Sequence, residues 1–260
     1  MLTSLDRETA VGRLIEAELS RTPILQLSKQ FPSIEIADSY AISVEVARRK
    51  ISDGAKVIGY KIGLTSKASQ LSSQIDEPIF GRVFDTGMVA DGAKVQRAGY
   101  CAPRVEPELA FVLSHPLQGP GVGLMDVLRA TEYVFAAMEI VDARVRGPRK
   151  IADTIADNTS AAGIVLGGHP VKPTDVNLRW AGAILYRNAE IEGSGLAAGV
   201  LGHPANGIAW LANKLWAFGA ILQPGNIIMS GSLAPSIPAE KGDTFHADFG
   251  ALGGLAIEFV

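Results

Sequence analysis

The amino-acid sequence predicts an α+β protein, with a helical N-terminal segment (residues 1–55) packed on a mostly β core (residues 56–260) that forms one structural unit. Two observations predict it. Apolar residues recur at helical spacing near the N-terminus, at Ala10, Val11, Leu14, Ile15 and Leu19. After Gly54 the texture changes to short apolar runs separated by Gly, Pro and Asp, which is strand patterning.

Taken in order, the first helix begins with acidic Asp6 and Glu8, the charge preferred at a helix start. A second helix starts near Asp38, carries Tyr40, Val44, Ala47 and Ile51 inward, and ends at Ser52-Asp53-Gly54. The strands then read VIGYKIG, PELAFVL, YVFAAMEIV, AGIVLGG, AGAILYR, NIIMSGS and GGLAIEFV. Two helices interrupt them. One is GLMDVLRAT; the other is Pro204 to Phe218, with Pro204 in its first turn, Ile208, Leu211, Leu215 and Phe218 on one face, and Gly219 as terminator. No repeat, low-complexity run or linker divides the chain.

With 260 residues, 47% hydrophobic content and a net charge of −3, the chain has no basic excess for nucleic acid and no polybasic run for an anionic membrane. No apolar run reaches the length of a membrane span. The N-terminus MLTSLDRETA is charged and has no apolar stretch of the signal-peptide kind, so the expected compartment is the cytoplasm. The single cysteine, Cys101, excludes an internal disulfide and a cysteine-based zinc site.

Three carboxylates stand out. In PRVEPELAFVL, Glu106 and Glu108 are two apart, so a strand points both the same way while Val105, Leu109, Phe111 and Leu113 take the other face. Glu139 lies between Met138 and Ile140 in a further apolar run, where an unpaired carboxylate is costly to ionise. Two readings are open. Either Glu106 and Glu108 line a solvated edge strand, which Pro107 permits, with Glu139 paired to an arginine such as Arg144, or all three hold a divalent cation. Oxygen-only ligands suit Mg²⁺ or Mn²⁺. Lys61 sits in an apolar strand bracketed by Gly59 and Gly63; it either snorkels at a strand edge or has a partner and a task. Asp153, Asp157, Asn158, Thr159 and Ser160 suit caps and turns. The four histidines are scattered, without metal-ligand spacing, and His203 either begins a helix or acts chemically. Ser230-Gly231-Ser232 lacks the context of a serine hydrolase.

In order, GYKIGLTSK, PRVEPELAF, AMEIVDAR, ADNTSAAGIVLGG, GVLGHPANGIAWLANKL and KGDTFHADFG resemble the hydratase/decarboxylase branch of the fumarylacetoacetate hydrolase superfamily, from about residue 30 to the C-terminus. The resemblance implies a mixed β-roll core, a Mg²⁺ or Mn²⁺ cofactor, and homo-oligomers built from dimers, a decamer among the possibilities, with a pathway enzyme as a further partner. It implies a carbon–oxygen lyase of aromatic meta-cleavage catabolism that adds water to a small 2-oxo acid, 2-oxohept-4-ene-1,7-dioate or a close analogue. Alternatives are decarboxylation of 2-oxo-3-hexenedioate and hydration of 2-hydroxypenta-2,4-dienoate. Metal ligands fall on Glu106, Glu108 and Glu139, the strand lysine on Lys61, and substrate contacts on Leu64, Thr65, Asp157, Asn158 and Ser160. The chain departs from the hydratases of that branch at EPIFG, where Ile79 replaces an aspartate suspected of acid/base work, as in the branch's decarboxylases. Asp76 and Asp85 are the nearest acids that could take that role. The segment after Asp142 is also shorter than in the dicarboxylate hydratases. A C–C bond hydrolase of the same superfamily needs a His–Glu pair early in the core, and no histidine precedes His115. Retention of all three glutamates and Lys61 argues against a catalytically dead binding protein.

Overall fold

The computed structural model describes residues 1–260. Three helices lead the chain: α1 Ser4–Ser20, α2 Leu27–Gln30 and α3 Ile36–Ser52. Thr3 and Asp6 form a reciprocal capping box at the start of α1, and Gly54, at φ +103°, turns the chain out of α3. Ala10, Val11 and Leu14 of α1 pack against Ile42 and Val46 of α3 in a small core of their own. The inward face of α3 differs from the expected one. Tyr40 and Ala47 are buried, but Val44 and Ile51 are exposed, because α3 lies between α1 and a later helix, α6 Ile151–Ala156, and that direction turns Ile42 and Val46 inward.

The strands are β1 Val57–Gly63, β2 Ile79–Phe84, β3 Met88–Val89, β4 Lys94–Val95, β5 Pro103–Leu113, β6 Thr131–Asp142, β7 Ala161–Val171, β8 Gly182–Arg187, β9 Glu190–Leu196, β10 Ile227–Met229, β11 Ile237–Pro238, β12 Thr244–Asp248 and β13 Gly254–Phe259. The other helices are α4 Lys67–Ser72, α5 Leu124–Ala130 and α7 Pro204–Trp216. One sheet runs β2-β1-β10-β5-β6-β7-β3, with β11 also paired to β5; a second runs β4-β13-β12-β8-β9. Strands β2, β3, β4, β9, β11 and β12 and helices α4 and α6 escape the sequence reading. Arg82 interrupts the apolar pattern of β2, and β9 has a mostly exposed, polar run. Helices α4 and α6 have six residues each, too short for a periodic signal.

Strand β5 is central in its sheet, not an edge. Pro107 is tolerated because its carbonyl accepts from Leu233 in the β10–β11 connection, and its nitrogen, on the same side of the strand, faces that irregular segment. Val105, Leu109, Phe111 and Leu113 enter the main core, as their alternation requires. Helix α7 buries Ile208, Leu211 and Leu215. Phe218 lies beyond the helix end and is 44% exposed, although its ring lies edge-on to Phe80 at 5.8 Å. No helix is long and apolar enough to cross a membrane.

Candidate active site

Strand alternation and register assemble the site. Glu106 and Glu108 share one face of β5, and Glu106 is directly opposite Glu139 on β6. Strand β10 joins β5 to β1 and places Lys61 beside Met229, whose other neighbour is Ala110. One carboxylate oxygen from each of Glu106, Glu108 and Glu139 lies within 4.8 Å of the others. Lys61 Nζ is 3.1 Å from Glu139 Oε2 and donates to the Thr159 carbonyl at 3.2 Å. Both lysine readings are thereby decided: Lys61 is 4% exposed, so it does not snorkel, and its partner is Glu139. Arg144 is engaged elsewhere, with Asp157.

Glu108 and Glu139 are both 0% exposed. Glu108 accepts from the Gly231 N–H at 2.8 Å, yet its Oε1 has no hydrogen-bond partner, and neither oxygen of Glu139 has one beyond the lysine contact. Burial, reinforced by Glu139 and Glu106, raises the Glu108 pKa well above the carboxylate range. Burial raises that of Glu139 too, against the pull of Lys61. For Lys61, burial works to lower the pKa, but Glu139, Glu106 and Glu108 outweigh it and the ammonium is favoured. One cation faces three carboxylates, so the cluster is short of positive charge. Orphaned buried oxygens and an all-carboxylate donor set fit a hard divalent cation.

The cluster opens into a cavity of about 700 Å³ lined by Lys61 and Glu106. Of the expected substrate contacts, Leu64, Thr65 and Ser160 line it. Asp157 and Asn158 do not; their side chains are used in the scaffold. Asp157 receives the Arg144 backbone N–H at 3.0 Å and the guanidinium Nε at 2.5 Å. Burial raises the Asp157 pKa to about 6, against the lowering pull of Arg144, and for Arg144 burial is outweighed by Asp157, so its pKa is raised. Asn158 bonds both ways to the Arg82 backbone on β2, at 2.8 and 2.9 Å. Asn158, Thr159 and Ser160 all have positive φ, 50°, 53° and 57°, a costly run for non-glycine residues. The Asn158 clamp and a Thr159 Oγ1 bond to the Phe80 carbonyl (2.7 Å) hold that turn, and the turn presents the carbonyl that Lys61 meets. Gly81 permits the approach: a Cβ there would lie 2.2 Å from the Asn158 carbonyl oxygen.

The acids expected to replace Ile79 are not in the cavity. Asp76 is exposed after α4. Asp85 lies at the far end of β2, where it accepts from the Lys56 and Thr86 N–H groups. Ile79 itself is 1% exposed and lines the cavity, next to Gly63 in register. Asp153 caps α2 and α6, and His203 caps α7 through Nδ1, as turn and cap chemistry predicts. Sequence reasoning missed Gly231, whose N–H orients Glu108, and Arg104, which lines the cavity. Arg104 was findable, because the alternation that pairs Glu106 with Glu108 extends to it.

The model of the C-terminal portion of fumarylacetoacetate (FAA) hydrolase matches residues 46–260. The chain is 49% identical to 2-oxo-hept-4-ene-1,7-dioate hydratase of Escherichia coli over 255 residues, 95% of this chain and 96% of that one. It is 42% identical to 2-hydroxyhexa-2,4-dienoate hydratase of Comamonas testosteroni, with 97% of each covered. Among solved structures, 4-oxalocrotonate decarboxylase from Pseudomonas putida G7, complexed with magnesium and adipate, superposes with a TM-score of 0.97 at 32% identity, over 100% of this chain and 99% of that one. Agreement over nearly the whole length, in sequence and in fold, makes this chain a member of the fumarylacetoacetate hydrolase family.

Proposed function

We propose that the protein is a divalent-metal-dependent hydro-lyase that adds water to a 2-oxo-alkenoate, 2-oxohept-4-ene-1,7-dioate or a close analogue, to give a 4-hydroxy-2-oxo acid in aromatic meta-cleavage catabolism. The observation that carries this reading is the convergence of Glu106, Glu108 and Glu139 beside Lys61, with Glu106 and Lys61 on the wall of a cavity. Similarity to two hydratases supports the reaction class. The three glutamates would hold Mg²⁺ or Mn²⁺. Such an ion supplies a Lewis acid that polarises the C1 carboxylate and C2 oxygen of a 2-oxo acid.

The chain's own groups do the rest. Lys61, kept charged by the glutamates, offers positive charge and a proton at the C2 oxygen as negative charge develops there. The Thr159 carbonyl and Glu139 fix the direction of its ammonium. Gly231 fixes Glu108. Leu64, at φ +55°, and Thr65 line the cavity just beyond the end of β1. Glu106, half-buried and facing the cavity, is the carboxylate nearest to incoming water.

A second reading, decarboxylation of 2-oxo-3-hexenedioate, draws on one observation: buried, apolar Ile79 lines the cavity in place of an acid. We also infer a cytoplasmic enzyme that forms homo-oligomers built from dimers. Support for assembly comes from Trp180, Ile191 and Leu196, exposed by 59%, 63% and 45%. The test is an ultraviolet assay of 2-hydroxydienoate consumption with Mg²⁺, coupled to CO₂ detection. Hydration predicts loss of the dienol chromophore without CO₂, abolished by EDTA. Stoichiometric CO₂ selects the second reading, and full activity in EDTA overturns the metal-site account.

A further inference from the structure

Two guanidiniums in the active-site cavity have no carboxylate partner. Arg104 lies two residues before Glu106 on the same face of β5 and lines the cavity with it. Its Nε donates to Ser236 Oγ at 2.7 Å and its Nη2 to the Ser236 carbonyl, so the group is oriented with Nη1 uncommitted. Arg149, just ahead of α6, lines the same cavity and donates through Nη1 to Ser160 Oγ at 3.0 Å, leaving its other nitrogens uncommitted. Two oriented guanidiniums with free N–H groups on one cavity wall offer charge-assisted hydrogen bonds to an anion that enters it.

The rest of this region is polar as well. Ser69, Ser72 and Ser73 line the same cavity and suit a solvated anionic group. One strand repeat, roughly 7 Å, separates Arg104 from Glu106 along β5, and that spacing is compatible with a substrate that carries an acid at each end. We propose that Arg149, backed by Arg104, binds the second carboxylate of the substrate and makes the enzyme prefer a dioate over the corresponding monoacid. This deepens the proposed 2-oxo-acid reading and rests on it.

The test compares wild type, Arg149→Met, Arg149→Lys and Arg104→Met with 2-hydroxyhepta-2,4-diene-1,7-dioate and 2-hydroxypenta-2,4-dienoate in the presence of Mg²⁺. A charge-assisted hydrogen bond to a carboxylate corresponds to about 10- to 100-fold in binding. Arg149→Met is therefore expected to lower kcat/KM for the dioate by that factor more than for the monoacid, chiefly through KM, with Arg149→Lys recovering part of the difference. Equal losses on both substrates, or no loss on the dioate, overturn the proposal. Calorimetry with adipate and hexanoate separates this proposal from the reaction itself, since it needs no turnover. Wild type is expected to bind adipate more tightly and Arg149→Met to erase the preference, whether or not water addition is the reaction. Equal affinity of wild type for the two acids overturns the assignment of Arg149.

Discussion

Neutralising Glu108 should stabilise the metal-free protein and at the same time remove its response to Mg²⁺. Two carboxylate charges at the 4.8 Å bound of the cluster repel by about 3.5 kcal/mol at an effective dielectric constant of about 20. The cluster can escape that cost by taking up a proton. Holding a proton at pH 7 on a carboxyl whose ordinary pKa is 4.5 costs about 3.4 kcal/mol, at 1.36 kcal/mol for each pH unit. The smaller of the two figures caps the strain, so Glu108→Gln should gain about 1–3 kcal/mol without metal. The amide oxygen can still accept from Gly231, and the amide nitrogen gives the oxygens of Glu139, met otherwise only by Lys61, a further donor. In a chain of this size, each kcal/mol moves Tm by about 2–4 °C.

The assay is thermal unfolding of wild type and Glu108→Gln in EDTA and across a Mg²⁺ titration. Wild type should start lower and rise with Mg²⁺, because a ligand that binds only the folded state stabilises by mass action. Glu108→Gln should start higher and stay flat. A variant less stable than wild type in EDTA, or one that gains as much from Mg²⁺, would refute the reasoning.

Two further predictions concern the scaffold. Arg144→Met leaves Asp157 buried without its counter-ion and should cost about 3–5 kcal/mol in urea unfolding; a cost below about 1 kcal/mol would show that the pair does not hold the 157–161 turn. Gly231→Ala forces a side chain onto φ +112° and sets its Cβ 2.4 Å from Thr65 Oγ1. It should destabilise by about 1–3 kcal/mol and, by moving the N–H that orients Glu108, weaken Mg²⁺ binding measured calorimetrically; unchanged Mg²⁺ affinity in the folded variant would count against that role for Gly231.

Local periodicity made much of this protein legible from its sequence. Alternation by two put Glu106 and Glu108 on one face and Val105, Leu109 and Phe111 on the other, and the core follows that division. Cap chemistry likewise located the starts of α1 and α7 and the close of α3, because the groups that cap a helix lie within a few residues of its end. Partner choice across the chain was not legible. Glu139 and Arg144 are five residues apart, yet each pairs with a residue from another segment, Glu139 with Lys61 and Arg144 with Asp157. The Asp157-Asn158 pair reads like a ligand motif, and only the closeness of β2 shows it clamping a strained turn. Asp76 and Asp85 are near Ile79 in sequence but outside the cavity, since Asp76 lies on the exposed connection before β2 and the six residues of β2 carry Asp85 away from the site. The sequence by itself determined which residue types face inward on each element, because that depends on a period of two or 3.6 residues. Only the tertiary structure decided which charges meet, because the register of β5 on β6 and the docking of β1 through β10 bring together residues far apart in the chain.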